Sequence, residues 1–352
     1  MTRTDSAPSE FEGVDLRRLA EWMDSLGLEG AAIESPELLG GGTQNILLRF
    51  TRGGRTYVMR HPPPHKRKNS DETMRREARV LAAIAGSDVP HPPLIAACPD
   101  LDVLGSAFYL MEPVDGFNAT QGLPPLHAGD ASVRHRMGLS MVEGIAALAR
   151  VDHEAVGLHD FGKPEGYLER QVARWRAQLE SYGELEGYGG PDIPGVEDVA
   201  RWLDDQRPAS FEPGILHGDY HLANVMFRND SGDVAAIVDW ELSTIGDPLL
   251  DLGWLLATWP DAEGGGAGKI GIQPWAGFAT PDELVAHYRE RSDRDVDAIT
   301  WYAVLACYKL GIILEGTHAR ACAGKAPKAT GDVLHATTVG LFEQALRRIA
   351  EA

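Results

Sequence analysis

The sequence lacks the features that mark several large classes of protein. It has three cysteines in 352 residues, Cys98, Cys307 and Cys322, with no C-x-x-C pair and no metal-ligand spacing. No apolar run reaches the roughly 18 residues that a membrane-spanning helix needs, and the first residues have no apolar core of the kind found in secretory signals. We therefore expect a reduced, cytoplasmic protein without a membrane partner.

Basic residues are few relative to acidic ones. Lys and Arg total 33 against 52 Asp and Glu, which gives a formal net charge of −19. This charge argues against nucleic acid or an anionic membrane as a partner, because both would repel an acidic surface. An acidic surface would attract a polycationic small molecule, but solubility is the simpler interpretation, since net charge does not locate a binding pocket.

Length and composition otherwise suit a globular protein with two modest lobes. Apolar residues make up 43% and charged residues 24% of a chain long enough to bury a substantial core. The chain has no internal repeat and no G-x-x-x-x-G-K-[ST] phosphate loop. It also shows no dinucleotide-binding fingerprint, so a dehydrogenase is not predicted.

One segment has a pattern typical of phosphoryl transfer. Residues 217–224 read H-G-D-Y-H-L-A-N, which keeps the spacing of the H-R-D-x-x-x-x-N catalytic loop of protein kinases. In that pattern the Asp takes the proton of the attacking hydroxyl, while the Asn and the Asp of a later D-F-G hold Mg²⁺ against the ATP phosphates. The pattern therefore predicts His217, Asp219, Asn224 and Asp239 as catalytic residues, with Asn224 and Asp239 as the magnesium ligands.

The spacing between Asn224 and Asp239 has a structural reason. Residues 224–227 read as a short strand, residues 229–232 as a turn and residues 234–238 as a returning, buried strand. A tight hairpin brings its two ends together, so we expect both side chains to meet at one metal ion. The alternative is a surface loop followed by a buried structural aspartate.

On these motifs the sequence resembles the aminoglycoside-phosphotransferase (choline-kinase-like) family, whose catalytic segment reads H-G-D-x-x-x-x-N. Within that family it is most similar to the kinase-like proteins related to the domain fused to some animal acyl-CoA dehydrogenases. The likeness runs from about residue 35 to about residue 320. It includes four further segments: residues 40–45, 57–63, 108–112 and 246–252.

The resemblance implies an α+β, bilobal protein-kinase-like fold. Residues 1–112 would form a small N-lobe, an antiparallel sheet plus a helix that covers the nucleotide. Residues 113–352 would form a larger, mainly helical C-lobe with the catalytic loop and the acceptor-substrate pocket. Residue patterns predict strands at 45–51, 56–60 and 103–111, helices at 15–26, 72–85, 131–151 and 166–181, and further helices from residue 283 onward.

Most residues predicted to bind the nucleotide lie in the N-lobe. The glycine run with Gly41, Gly42 and Thr43 would let backbone N–H groups approach phosphates, although a plain hairpin turn is an alternative. Arg60 stands where kinases have a phosphate-binding lysine, and Glu77 on the following helix is its expected partner. A rim arginine and an ordinary surface ion pair are the corresponding alternatives.

The connection between the lobes is the predicted hinge. Backbone groups from Glu112 to Val114 would read the adenine ring there. The basic cluster at residues 65–68 would contact phosphate groups or form a solvated loop. The Gly- and Pro-rich loops at residues 187–195 and 262–274 would act as substrate-side lids or be solvated insertions.

Several residues near the catalytic segment have supporting or open roles. By resemblance, Asp251 would hold the catalytic loop through hydrogen bonds, and Asp247 would shape the turn before its helix. Glu241 replaces the glycine of D-F-G, and it would either reach a second Mg²⁺ or face solvent. His221 would touch the substrate or pack within the loop.

The resulting hypothesis is a small-molecule kinase that uses ATP and Mg²⁺ to phosphorylate a hydroxyl group. The resemblance suggests a hydroxyacyl-CoA or a related hydroxylated metabolite as the acceptor, with aminoglycosides second and choline or a sugar after them. A nucleotide-binding pseudokinase or regulatory module is the alternative of a different class. Intact Asp219, Asn224 and Asp239 argue against it, because such modules commonly lose one of the three.

Overall fold

The computed structural model describes residues 10–40, 45–63 and 65–352, and within these the chain forms two compact units. Unit 1 takes the described part of Met1–Ser87 together with His91–Asp115 and Val238–Glu241. Unit 2 takes Asp88–Pro90, Gly116–Ile237 and Leu242–Ala352. Unlike the predicted lobes, 1–112 and 113–352, unit 1 therefore includes the short segment that contains Asp239.

Unit 1 is built on a five-stranded antiparallel sheet with the strand order β3-β4-β5-β7-β6. A short hairpin and a helix precede this sheet, and a second helix lies between β5 and β6. The elements are β1 (Glu10–Phe11), β2 (Val14–Asp15), α1 (Leu16–Ser25), β3 (Glu34–Leu38), β4 (Ile46–Arg52), β5 (Arg55–His61), α2 (Ser70–Ile84), β6 (Leu94–Cys98) and β7 (Phe108–Met111).

Local sequence explains the central hairpin of this sheet. Arg52 pairs with Arg55 across Gly53 and Gly54, and both glycines have positive φ, which only glycine adopts without strain. Apolar side chains of β4, β5 and β7 pack with Leu19 and the rest of the apolar face of α1 to form the core of the unit. At the β7–β6 end of the sheet, the strands differ from those that the sequence predicted.

The strand expected at 103–111 begins only at Phe108, because residues 101–106 form turns and bends. Leu94–Cys98, which the sequence did not predict, forms the edge strand β6. Its two alanines have low strand propensity and its neighbours are prolines, so no alternating pattern marks it.

Unit 2 is mainly helical, with two small two-stranded sheets. One sheet pairs β8 with β11, and the other pairs β9 with β10. The elements are α3 (Pro125–Gly129), α4 (Ala131–Ala149), α5 (Glu169–Ser181), α6 (Val196–Asp205), β8 (Gly214–Leu216), β9 (Val225–Phe227), β10 (Val234–Ile237), β11 (Thr244–Gly246), α7 (Leu249–Thr258), α8 (Pro281–Arg291), α9 (Ile299–Cys322) and α10 (Lys328–Ala350).

The strands of the two sheets of unit 2 adjoin the predicted catalytic segment in sequence: β8 precedes it, and β9, β10 and β11 follow it. β8 ends at Leu216, directly before His217, and it pairs antiparallel with β11. The β9–β10 hairpin pairs Val225 with Ile237. Asn224 directly precedes this hairpin, and Asp239 follows two residues after it.

Among the described residues, one helix passes a length and hydropathy test for a membrane span. It is α9, whose most apolar window is 67% buried inside the structure. The core helix of a soluble protein passes the same test. Lys309 and Glu315 interrupt its apolar sequence.

Candidate active site

The second residue of the predicted catalytic segment is a glycine that no other residue could replace without strain. Gly218 has a φ of +85°, and a Cβ at this position would lie 2.5 Å from the carbonyl oxygen of Leu242. Real Cβ atoms do not approach a backbone oxygen so closely, and L-residues rarely adopt that φ. The second letter of H-G-D is therefore set by backbone geometry between His217 and Asp219.

Asp251 at the start of α7 anchors the same segment. Its Oδ2 accepts a hydrogen bond from the backbone N–H of His217 at 2.6 Å, and its Oδ1 accepts one from the N–H of Gly218 at 2.8 Å. Burial raises the pKa of Asp251 to about 7, although both N–H groups favour the ionised form. These two hydrogen bonds tie the segment to α7, and the supporting role expected of Asp251 stays a prediction.

Asp219, the predicted base, has a hydrogen-bonded carboxylate. Its Oδ2 accepts from Nδ2 of Asn224 at 3.0 Å, and its Oδ1 lies 3.3 Å from Nε2 of His221. Burial acts to raise the pKa of Asp219, but His221, His217 and Lys309 outweigh it and leave the pKa below its usual value. The carboxylate is therefore ionised at neutral pH and points in a fixed direction.

Asn224 is oriented by the same loop. Its Nδ2 donates to the backbone carbonyl of Asp219 at 2.9 Å as well as to the carboxylate. Because the amide nitrogen faces Asp219, the Oδ1 oxygen is the atom that this side chain would offer to a cation. A carboxamide oxygen is a ligand that Mg²⁺ accepts.

Lys309 of α9 is a functional candidate that sequence reasoning missed. Its Nζ donates to the carbonyl of Gly218 at 3.2 Å and lies 4.4 Å from the ring centre of Trp254. Burial lowers the pKa of Lys309, whereas Asp219 and Asp251 act in the opposite direction. A lone lysine within the apolar run of α9 is the signal that could have pointed to it.

Asp247 forms hydrogen bonds at the start of α7. Its Oδ1 accepts from the backbone N–H of Leu249 at 3.1 Å, and its Oδ2 accepts from the hydroxyl of Tyr302 on α9. Burial raises the pKa of Asp247. These hydrogen bonds hold the turn that leads to Asp251, and Tyr302 is a partner of Asp247 that the sequence did not predict.

In unit 1, the structure brings together Arg60, Glu77 and Asp239. Nε of Arg60 lies 3.0 Å from Oε2 of Glu77, and the Arg60 guanidinium donates to Oδ1 of Asp239 at 2.5 Å. Tyr109 on β7 donates its hydroxyl to Oε2 of Glu77 at 2.8 Å. Tyr109 lies in one of the family-like segments, but no local pattern marks it as a partner of Glu77.

Burial governs the charges of this cluster. Glu77 is completely buried, which raises its pKa to about 7 even though Arg60 and Tyr109 favour the carboxylate. Glu77 and Asp239 in turn overcome the effect of burial and raise the pKa of Arg60. Arg60 is therefore a permanent cation with a fixed orientation, which is what a phosphate-binding group requires.

Asp239 has an unusual backbone for a residue with a side chain. Its φ is +66°, in the left-handed region where aspartate is tolerated better than most residues. Its carboxylate is 38% exposed, and Arg60 contacts Oδ1. A partly exposed carboxylate next to a cation is chemically suited to metal binding, but a metal ion would share it with Arg60.

The remaining nucleotide-side predictions concern the glycine run and the hinge, and they stay predictions. Gly41, Gly42 and Thr43 lie outside the described residues. The N–H of Glu112 donates to the carbonyl of Pro93 at 2.9 Å, and the Glu112 side chain pairs with Arg55. A hinge contact at Glu112 would therefore use its carbonyl, with the N–H supplied by Val114.

The basic cluster at residues 65–68 is partly engaged within unit 1. Nζ of Lys66 lies 2.7 Å from Oδ2 of Asp71 and donates to the carbonyl of Gly105 at 3.0 Å. These contacts favour a structural interpretation for Lys66 over a phosphate contact.

Comparison with known proteins assigns the chain to a family. The model of the phosphotransferase enzyme family matches residues 36–286, so the chain belongs to this family. Mouse acyl-CoA dehydrogenase family member 10 is 29% identical over 314 residues, which cover 86% of this chain but only 28% of that protein. The chain thus spans less than a third of the length of that relative. The predicted resemblance to the phosphotransferase family is confirmed.

Solved structures agree on the fold. A Ralstonia eutropha protein, described as a candidate aminoglycoside phosphotransferase, is 32% identical, with a TM-score of 0.78 over 95% of this chain and 99% of that one. An aminoglycoside phosphotransferase variant in complex with ADP and hygromycin B has a TM-score of 0.56 at 14% identity, covering 93% and 97%. The predicted α+β, protein-kinase-like fold is confirmed.

Proposed function

We propose that the protein is a small-molecule kinase that transfers the γ-phosphate of ATP to a hydroxyl group with the help of Mg²⁺. The observation that carries this proposal is the carboxylate of Asp219, which Asn224 and His221 orient and which is ionised at neutral pH. A group of this kind positions an acceptor hydroxyl and takes its proton late in a loose transition state. Family membership supports the reaction class.

The other residues of the site have complementary tasks in this proposal. Arg60, held by Glu77, binds phosphate oxygens with its guanidinium, which matches them bidentately. Asn224 and Asp239 are the proposed ligands of Mg²⁺, which would neutralise charge on the phosphates. Gly41, Gly42 and Thr43 would contact the phosphates, and Glu112 and Val114 the nucleotide base.

We propose a hydroxyacyl-CoA or a related hydroxylated metabolite as the acceptor class. The support is the similarity over 86% of the chain to a relative named as an acyl-CoA dehydrogenase family member, of which this chain covers 28%. A kinase-like portion attached to a dehydrogenase is expected to act on a compound chemically related to the dehydrogenase's acyl substrate.

An aminoglycoside is the second candidate acceptor. The specific observations are the Ralstonia eutropha structure at 32% identity and the net charge of −19, which would attract a polycation. A nucleotide-binding module without activity is the third candidate. It has less support, because Asp219, Asn224 and Asp239 are all present.

A transfer assay with a paired variant tests the function. Radiolabelled γ-phosphate from ATP or GTP is offered with Mg²⁺ to hydroxyacyl-CoAs, aminoglycosides, choline and sugars. We expect transfer to a hydroxyacyl-CoA, and we expect Asp219→Asn to lose about 10²- to 10⁴-fold in rate, because the amide cannot accept the proton. Nucleotide binding by the variant should be retained.

Asp230→Asn is the matched control. Asp230 lies in the turn of the β9–β10 hairpin, is exposed and pairs with the exposed Arg228, so the substitution should leave transfer unchanged. Full activity of Asp219→Asn would refute the catalytic assignment. ATP binding by the wild type without transfer to any acceptor would instead indicate the binding-only module.

A further inference from the structure

Two helices of unit 2 bring a carboxylate and two imidazoles together. Glu315 and His318 lie one turn apart on α9, and His335 faces them from α10. One potential ligand atom from each of the three side chains lies within 4.8 Å of the other two. None of these residues belongs to the proposed phosphotransfer site.

Glu315 is the centre of this cluster. Its side chain is completely buried, its Oε1 accepts from the hydroxyl of Tyr188 at 2.7 Å, and its Oε2 lies 2.8 Å from Nδ1 of His335. A buried carboxylate is costly unless positive charge compensates it. Tyr188 is a neutral donor, so the compensating charge must come from the imidazoles or from a bound cation.

The ion pair between Glu315 and His335 does not account for the second imidazole, that of His318. The rings of His318 and His335 stack with their centres 4.5 Å apart, so protonation of both would place two like charges in contact. Nδ1 of His318 is buried and has no hydrogen-bond partner among the described residues. A buried polar nitrogen without a partner is unfavourable, and a bound cation is one arrangement that would satisfy it.

The donor set fits a first-row divalent ion such as Zn²⁺. Two imidazoles and one carboxylate are a common protein set for zinc, with a fourth position left for water or another ligand. Bonds of about 2.0–2.1 Å place the ligand atoms of a tetrahedral zinc site about 3.4 Å apart, so small side-chain rotations would close the cluster. Tyr188 would orient the ligating carboxylate from behind.

We propose that Glu315, His318 and His335 form a zinc-type metal site that clamps α9 to α10. Cys322 is exposed and its Sγ lies 3.6 Å from Nε2 of His318, on the opposite edge of the ring from Nδ1, so it is not proposed as a ligand. The site would stabilise the helix that also carries Lys309. It is independent of whether the chain is a kinase.

Zinc titration of the full chain tests this site. After removal of metal with a chelator, Zn²⁺ is added in the presence of excess Mg²⁺, which occupies oxygen-rich sites but competes poorly for imidazole. We expect one tightly bound Zn²⁺ per chain and a rise in Tm on binding. Loss of an outer partner already costs about 10- to 100-fold in metal affinity, so His318→Ala and His335→Ala should each lose at least about 100-fold.

Two controls isolate the cluster. His159→Ala removes an exposed histidine elsewhere in unit 2 and should bind zinc like the wild type, as should Cys322→Ser. Circular dichroism confirms that each variant is folded. The proposal is refuted if the wild type binds no zinc, if both histidine variants keep its affinity, or if only Cys322→Ser loses it.

Discussion

Individual charges in the catalytic segment are held in place by residues far away in the sequence. Lys309 donates to the carbonyl of Gly218 from 91 positions away, and its charge is among those that lower the pKa of Asp219. Removal of this cation should therefore affect both the position of the loop and the ionisation of the base. Lys309 would act through Asp219 and so is a positioning residue.

Lys309→Met keeps the apolar stem of the side chain and deletes its charge. We expect kcat to fall about tenfold, equivalent to about 1.4 kcal/mol. We also expect the acidic limb of the pH–kcat profile to move to higher pH, because loss of the cation raises the pKa of Asp219. Steady-state kinetics between about pH 4 and pH 9 measure both effects.

Lys269→Met is the matched control for this prediction. Lys269 also donates to a backbone carbonyl, that of Ala257 at 2.7 Å, and burial lowers its pKa to about 8. Removal of the Lys269 charge should leave the acidic limb of the pH–kcat profile unchanged. An acidic limb that does not move in Lys309→Met would show that this lysine has no electrostatic role at Asp219.

At the scale of secondary structure, the contact between α7 and α9 positions Asp251 and Asp247, two residues for which the sequence predicted supporting roles. α7 carries Asp251, which anchors the catalytic segment, and α9 carries Tyr302, which contacts Asp247. The two helices approach closely at Gly253, where a Cβ would lie 2.6 Å from the backbone carbonyl carbon of Tyr302. A small residue is therefore required at this crossing.

Gly253→Ala tests this helix contact. Although alanine favours helix more than glycine does, overpacking against Tyr302 should destabilise the protein by about 1–3 kcal/mol. Displacement of Asp251 should also lower kcat. Urea unfolding measures the free energy of unfolding. Its dependence on urea concentration, the m-value, should be unchanged if only stability has changed.

Gly129→Ala provides the comparison for Gly253→Ala. Gly129 ends the helix α3, and a Cβ there would meet nothing within 4 Å. The substitution should therefore be neutral or stabilising by about 0.4–1 kcal/mol. Equal effects of the two substitutions would show that helix propensity, rather than the α7–α9 contact, determines the result.

For the whole molecule, the dominant electrostatic fact is the net charge of −19. A field of this sign repels anionic acceptors and attracts cationic ones over distances comparable to the Debye length. The two leading acceptor classes have opposite charge, since CoA thioesters are anionic and aminoglycosides are polycationic. Salt dependence therefore distinguishes them.

We expect kcat/KM for a hydroxyacyl-CoA to rise when salt increases from about 10 mM to about 100 mM, because the Debye length falls from about 30 Å to about 10 Å. For an aminoglycoside kcat/KM should fall. Initial rates at saturating ATP give both values. The uncharged hydroxyacyl-pantetheine thioester is the control and should be insensitive to salt.

A decrease of kcat/KM with salt for the hydroxyacyl-CoA would contradict this expectation. It would mean that a basic acceptor pocket, rather than the net charge of the chain, sets the local potential.

Sequence patterns predicted most of the regular structure where one face of an element is apolar. The helix expected at 131–151 is α4, Ala131–Ala149, and the helix expected at 72–85 is α2, Ser70–Ile84. The edge strand β6 was not predicted because its alanines have low strand propensity. The roles of the lid-like loops at 187–195 and 262–274 remain predictions.

The sequence by itself determined the chemical core of the site. Asp219 and Asn224 lie five positions apart in one loop, so their mutual orientation is a local property that spacing can encode. Only the tertiary structure decided the long-range contacts: within unit 1 Arg60 reaches Asp239 across 179 positions, and within unit 2 Lys309 and the Glu315–His318–His335 cluster depend on how α9 packs. Such contacts follow from burial and helix packing, and neither leaves a fixed spacing in the chain.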